Sequence, residues 1–435
     1  MYFDNKNWRS IPSKIILIVV FFGILQFCFS FWINISGHGF HHIEDKINLS
    51  LTDGQRTLYM NPDEESNFKI AKNNIDGHGY SHFNNTSKTY KPSAFHSSFT
   101  VFLYERLILS GLDFDLYIIF YYLITSILHS ISLLALYQIL KPIGHKFAFL
   151  GLSLWALFPS TIYFINPLFL YESFCTAGLI IIYERICKVR LSGDAKCHDL
   201  IIILFLSMIG VFLRLQLIPI LISLFSFTII FPGKAKRFEL LFGMVIIMTL
   251  ISLMSIPVLE KNKKDFGRYV ISTQSGFELW EGSNPLARGS WSGSGESRKL
   301  GMTNIPNVEN LNQLELSDKL KYKAIAWATS HPYDYFVLSL RKLAIYFLPQ
   351  NYEVMPGSRF YNPINAIVYF AALFFIFTSI FRNKDIPNTM VLIAPILGSI
   401  SLTLVFFVGY RWRYYAEPFM LICSIYMLNS LKKNQ

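Results

Sequence analysis

The sequence predicts an all-α polytopic membrane protein, with about ten transmembrane helices and two large extracytoplasmic loop regions carrying short interfacial helices. Three observations predict it. The chain is 52% hydrophobic and 16% aromatic but only 15% charged, too apolar for an ordinary soluble domain. Several apolar runs reach the ~20 residues needed to cross a bilayer. Basic residues gather in the short segments between those runs, as the rules of membrane orientation require. The net charge of +11 therefore implies the lipid bilayer as partner and needs no nucleic acid. Residues 1–435 read as a single membrane domain.

The first run, 15–33, is long, and no small-x-small cleavage site follows it, so it reads as a retained anchor. Lys6, Arg9 and Lys14 precede it and place the N-terminus in the cytoplasm. Residues 37–111 form the first extracytoplasmic region, in which 94–109, interrupted by Glu105 and Arg106, reads as an interfacial piece. Spans two to four follow at 114–140, 147–164 and 168–186, with Ile165-Asn166-Pro167 as a tight outer turn. Arg185, Lys188, Arg190 and Lys196 mark a cytoplasmic loop.

The run 200–231 is too long for one helix and carries Arg214 and Gln216 at its middle. A charge at the centre of a single span is costly, so two short spans meeting near Arg214 are expected. Lys234, Lys236 and Arg237 then fall inside, and span seven covers 240–259. Residues 260–362 form the second outer region, rich in Gly, Ser and Asn, with an amphipathic stretch at 335–348. Spans eight to ten are expected at 364–381, 390–408 and 419–431, which returns the C-terminus to the cytoplasm. The five cysteines show no paired spacing, so neither a disulfide framework nor a zinc site is expected.

The first outer region holds Asn61-Pro62-Asp63-Glu64-Glu65-Ser66-Asn67-Phe68-Lys69-Ile70-Ala71. Asn61 can cap a helix that begins at Pro62, and acids in the first turn suit its dipole. With the expected topology, Asp63 and Glu64, Glu172, Arg214, and Arg411 with Arg413 all face one side of the membrane. Ionisable groups at a membrane boundary are costly and tend to be functional. Carboxylates beside arginines suit a substrate with an anionic head and an apolar tail. The guanidinium groups can hold phosphate oxygens, and a carboxylate can take the proton from an attacking hydroxyl.

Each candidate also has a plainer reading. Glu172 could anchor a span end, Arg214 could extend to the interface, and Tyr410-Arg411-Trp412-Arg413-Tyr414-Tyr415 has the composition of an aromatic and basic belt. His38, His41 and His42 are more often solvated in such a loop than metal-bound.

Several segments, in order along the chain, carry a resemblance. They are Pro62-Asp63-Glu64 with Ile70-Ala71 and the Gly-His-Gly-Tyr turn at 77–80, Lys91-Pro92-Ser93-Ala94-Phe95, and Ala156-Leu157-Phe158-Pro159 followed by Tyr171-Glu172. Further on come the segment from Gly276 through Trp280 to Gly289, Ser330-His331-Pro332 with Arg341-Lys342, and Arg411-Trp412-Arg413-Tyr414-Tyr415-Ala416-Glu417-Pro418-Phe419. Together these resemble the polytopic lipid-linked-sugar glycosyltransferases of the GT-C fold, near the protein O-mannosyltransferase and aminoarabinose transferase branch. Asn67, where many members have Tyr, and the third acid Glu65 depart from the pattern.

The resemblance implies inverting transfer of a sugar from a polyprenyl-phosphate donor to a glycan, lipid or protein acceptor on the outer face of a bacterial inner membrane. On that reading Asp63 is the base or acceptor clamp and Glu64 assists. Arg411 and Arg413 hold the lipid phosphate, Arg214 is a weaker candidate for it, Glu172 shapes the pocket, and Trp280 packs on a sugar ring. Some members use a divalent metal; none is predicted here, because arginines can neutralise the phosphate. The rival readings are an envelope polysaccharide polymerase or ligase, a non-catalytic scaffold, and a transporter. No internal repeat favours the transporter, and the ionisable residues gather at one face rather than at mid-membrane.

Overall fold

The computed structural model describes residues 11–36, 47–49, 56–58, 62–84, 89–95, 98–111, 114–165, 171–290, 296–347, 358–381 and 386–433. The first helix, α1 (Ser13–Ser36), is followed by an antiparallel pair, β1 (Ile47–Leu49) and β2 (Arg56–Leu58). Helix α2 (Pro62–Asn73) passes into a wide turn at Asn74–His78, where Gly77 adopts a φ of 86° that favours glycine. A second antiparallel pair, β3 (Ser81–Asn84) and β4 (Thr89–Pro92), leads to α3 (Ser98–Ser110).

A run of mostly apolar helices follows: α4 (Phe114–Leu140), α5 (His145–Ala156), α6 (Pro159–Ile165), α7 (Glu172–Ser192), α8 (Cys197–Leu213), α9 (Leu217–Ile230) and α10 (Arg237–Phe266). A polar set comes next, α11 (Gln274–Gly282), α12 (Glu296–Met302), α13 (Gln313–Ser330) and α14 (Pro332–Phe347). The chain ends with α15 (Ser358–Phe381), α16 (Ile386–Val405), α17 (Tyr410–Tyr414) and α18 (Glu417–Lys433).

Two breaks in this order follow from single residues. The run 200–231 divides at Arg214, which is extended at φ −145° and ψ 102°, as the charge at its centre predicts. The run expected as one span over 147–164 is also divided, because the helix stops at Ala156 and restarts at Pro159. Proline has no amide hydrogen to give and disfavours helical geometry in the residue before it, yet it fits the first helical position well. The expected tight turn at Asn166-Pro167 lies outside the described residues.

Among the described residues, four helices are long and apolar enough to cross a bilayer: parts of α1 and α4, and α10 and α16. Helices α8 and α9, and Ile364–Ser379 within α15, are apolar but shorter. Large side chains face outward from these helices, with Phe21 58%, Phe238 76% and Ile367 70% exposed. Water penalises so broad an apolar belt, whereas hydrocarbon does not.

Inside the bundle, small residues permit close packing, as they do where lipid offers no hydrophobic drive to association. Gly398 of α16 meets the backbone of α9 so closely that a Cβ there would lie 2.5 Å from Ile220 Cα. Beside it, Ser223 donates to the carbonyl of Ala394 at 2.7 Å.

The two polar regions pack on each other. The Thr273 amide donates to the Ala94 carbonyl at 2.9 Å, and the Ala94 amide donates to Gln313 Oε1 at 2.9 Å. Lys91 Nζ reaches the Glu309 carbonyl at 2.6 Å, and the rings of Phe95 and Phe277 meet edge to face with centroids 5.6 Å apart. Asn312 and Glu315 form a capping box that starts α13 beside this seam, each side chain bonding the other's backbone amide at 2.9 Å. The result is one cap, built from both polar regions.

Candidate functional site

The acidic helix α2 is anchored by the apolar residues that follow its acids. Phe68, Ile70 and Ala71 are buried, and Phe68 meets Tyr104 of α3 edge to face at 6.0 Å. Helix α3 in turn touches the end of α8 through Phe99 and Phe212, whose centroids lie 5.9 Å apart. Phe212 is two residues from Arg214, so α2 and Arg214 belong to the same end of the bundle. Asp63 and Glu64 occupy the first turn of α2. Their side chains lie outside the described ones, as do all three histidines at 38, 41 and 42.

At that end, Arg214 Nη2 lies 3.0 Å from Glu172 Oε1. Glu172 opens α7 and is 1% exposed, while the side chain of Arg214 remains 16% exposed. The carboxylate favours the positive end of the helix dipole, and the extended backbone at residue 214 turns the guanidinium toward it. The hydroxyl of Tyr415, a buried residue, lies within electrostatic reach of Glu172, Cys175, Arg214 and Arg411 together. Three predicted site residues from three distant segments thus converge on one tyrosine. Glu172 Oε2, Ser173 Oγ and Thr176 Oγ1, in the first turns of α7, are buried and have no hydrogen-bond partner among the described residues. Orphaned buried polar atoms cost about 1–3 kcal/mol each, which suits a place where hydroxyls or water bind.

Arg413 sits apart from that group. It is fully buried, 3.6 Å from Glu417 Oε1, with its guanidinium 5.4 Å above the Tyr369 ring. Glu417 also accepts from Tyr369 at 2.5 Å, from Asn365 Nδ2 at 3.4 Å, and from Ser160. Nearby, Tyr414 stacks on Phe164 at 4.3 Å and on Trp155 at 5.8 Å, which holds α17 against α5 and α6. The i,i+4 spacing of Arg413 and Glu417 is a signal the sequence does contain. Ser160, Asn365 and Tyr369 come from other segments, and no spacing points to them.

Trp280 lies in the cap core with Ile305, Leu320 and Ala324. Its Nε1 donates to the Ser297 carbonyl at 2.7 Å, and Gly301 closes over its ring. It is 5% exposed, so packing within the cap occupies this indole. Among the described residues, no three His, Cys, Asp or Glu side chains are grouped to hold a metal ion.

Fold and site together define a predominantly helical protein, several of whose helices can span a membrane, with a buried charged cluster beneath a polar cap. No protein-family model, curated protein or solved structure matches the chain.

Proposed function

We propose that the chain is a membrane glycosyltransferase that moves a sugar from a polyprenyl-phosphate donor to an envelope glycan, lipid or protein acceptor, with inversion at the anomeric carbon. The observation that carries this reading is the convergence of Glu172, Arg214 and Arg411 around Tyr415, at the end of the bundle where α2 docks. The membrane arrangement belongs to the proposal. Counting α5 and α6 as one broken span, α1, α4, α5–α6, α7, α8, α9, α10, α15, α16 and α18 give about ten spans. Both termini then lie in the cytoplasm of a bacterial inner membrane, with the cap outside.

In the reaction, Asp63 takes the proton of an acceptor hydroxyl, with Glu64 assisting. The hydroxyl oxygen attacks the anomeric carbon as the bond from that carbon to the phosphate oxygen breaks. The electron pair leaves with the polyprenyl phosphate, whose growing charge Arg411 and Arg214 offset. Sugar hydroxyls meet Glu172 Oε2, Ser173 and Thr176, polar atoms without a hydrogen-bond partner among the described residues. Arg413, enclosed by Glu417 and Tyr369, serves by fixing the corner between α17 and α18.

A mass comparison of envelope glycans from cells with and without the gene tests the reading, beside binding of undecaprenyl phosphate to the purified protein in nanodiscs. The expected results are one missing sugar and specific lipid binding that Arg411→Gln weakens. Unchanged glycan masses with no lipid binding overturn it.

A further inference from the structure

The segment that delivers Arg411 is held from the cap as well as from the bundle, where Tyr414 stacks on Phe164 and Trp155. Residues 406–409 leave α16 and lead directly into α17, which has five residues. So short a helix cannot fix its own direction through internal hydrogen bonds. Its direction must come from contacts, and beside those from the bundle the second polar region adds contacts at four places.

Gly282, the last residue of α11, lies so close to Phe406 that any side chain there would overlap its carbonyl. The Val408 amide donates to the Gly289 carbonyl at 2.8 Å, and Ser290 pairs with Val408 in a parallel bridge. Lys342 of α14, wholly buried, donates from Nζ to the Leu404 carbonyl at 3.0 Å. That carbonyl is in the last turn of α16, where helical partners run out. One turn further along α14, Tyr346 donates to Ser399 Oγ at 2.9 Å, and the Ser399 hydroxyl donates in turn to the Trp412 carbonyl at 2.8 Å. Trp412 stands between the two arginines.

We propose that α14 and the 282–290 loop form a clamp that sets the position of Arg411, with Tyr346 and Lys342 as its positioning residues. The relay has one direction, because the single hydroxyl proton of Ser399 is spent on Trp412 and its oxygen is left to accept from Tyr346. A displacement of α14 is therefore passed to the arginine segment, which links the cap to the place where phosphate binds. The link to phosphate rests on the function proposed above; the clamp itself does not.

Hydrogen–deuterium exchange on the full chain in nanodiscs tests it. Tyr346→Phe and Ser399→Ala should each speed exchange across residues 406–416 about fivefold, the scale of one lost neutral hydrogen bond, and Lys342→Met at least as much, because its ammonium is a charged donor. Exchange in α7 should stay at parent values in all three, and the global melting temperature should do so in Tyr346→Phe and Ser399→Ala, which a general loss of packing would not permit. Lys342→Arg should restore slow exchange. Tyr346→Phe with Ser399→Ala should act no more strongly than Ser399→Ala alone, because both break one relay.

Undecaprenyl phosphate should bind about fivefold more weakly to Tyr346→Phe and Lys342→Met. Parent-like exchange at 406–416 in all three single variants, or acceleration spread evenly over the molecule, overturns the clamp. Local acceleration with lipid binding unchanged supports the clamp and removes Arg411 from the phosphate site.

Discussion

Glu172 and Arg214 meet at 3.0 Å from opposite sides of a corner, one opening α7 and the other separating α8 from α9. The carboxylate is enclosed, so the pair is only weakly screened by water. Glu172→Gln takes the counter-charge from Arg214 and should cost about 3 kcal/mol of stability, as breaking an enclosed pair does. Arg214→Gln should cost a similar amount. The double variant should fall short of the sum by about 1–3 kcal/mol, read from unfolding in detergent. Strict additivity would show that the two groups do not act as a pair.

Asp63→Asn exchanges one oxygen for an amide at nearly constant volume. It should lower sugar transfer about a hundredfold or more while leaving expression and melting unchanged. Transfer near the parent rate removes Asp63 from the role of base.

Arg413 and Arg411 should respond differently to lysine. Arg413→Lys loses the planar group held over Tyr369 and should cost about 1–2 kcal/mol of stability. Arg411→Lys should leave stability alone and weaken retention of the lipid phosphate, since lysine cannot make a bidentate contact. Equal loss of stability in both variants would place the two arginines in one enclosed network.

Burial holds the Lys342 ammonium below its usual range, at about 8 against 10.5 for an ordinary lysine. Between those values the unfolded chain binds more protons than the folded one, so stability rises with pH across that window. Below about 8 both states are protonated and the gain is absent. Unfolding measured from pH 7 to about 10 should show this rise in the parent and a flatter profile in Lys342→Met. Parallel profiles would assign the effect to another group.

Much of the fold can be read in the sequence because it depends on local facts. Apolar length marks α4 over its whole extent, and the charge at Arg214 marks a helix end. Where two local rules compete, length misleads: 147–164 reads as one span by hydropathy, and the proline divides it. The site is legible in part. Glu172, Arg214 and Arg411 stand out as charges beside apolar runs, and the structure gathers them. Arg413 carries the same signal with different surroundings, because its enclosure depends on Tyr369 and Ser160 from remote segments. Trp280 is likewise an aromatic in a polar loop until Ile305 and Leu320 close around it. A single sequence records which groups are present; which of them become neighbours is decided by long-range packing.

The seam in the cap also constrains how the chain is made. Ala94 bonds Thr273 and Gln313, and Lys91 bonds Glu309, partners that are synthesised long after the early strands have left the ribosome. Helices can enter a bilayer one after another, but residues 89–95 must wait for more than half the protein to follow before they find their seats. Loops this long make late, non-local closure slow. Biogenesis therefore has a late assembly step, and a chain truncated before Glu309 keeps its early apolar helices and still lacks a closed cap.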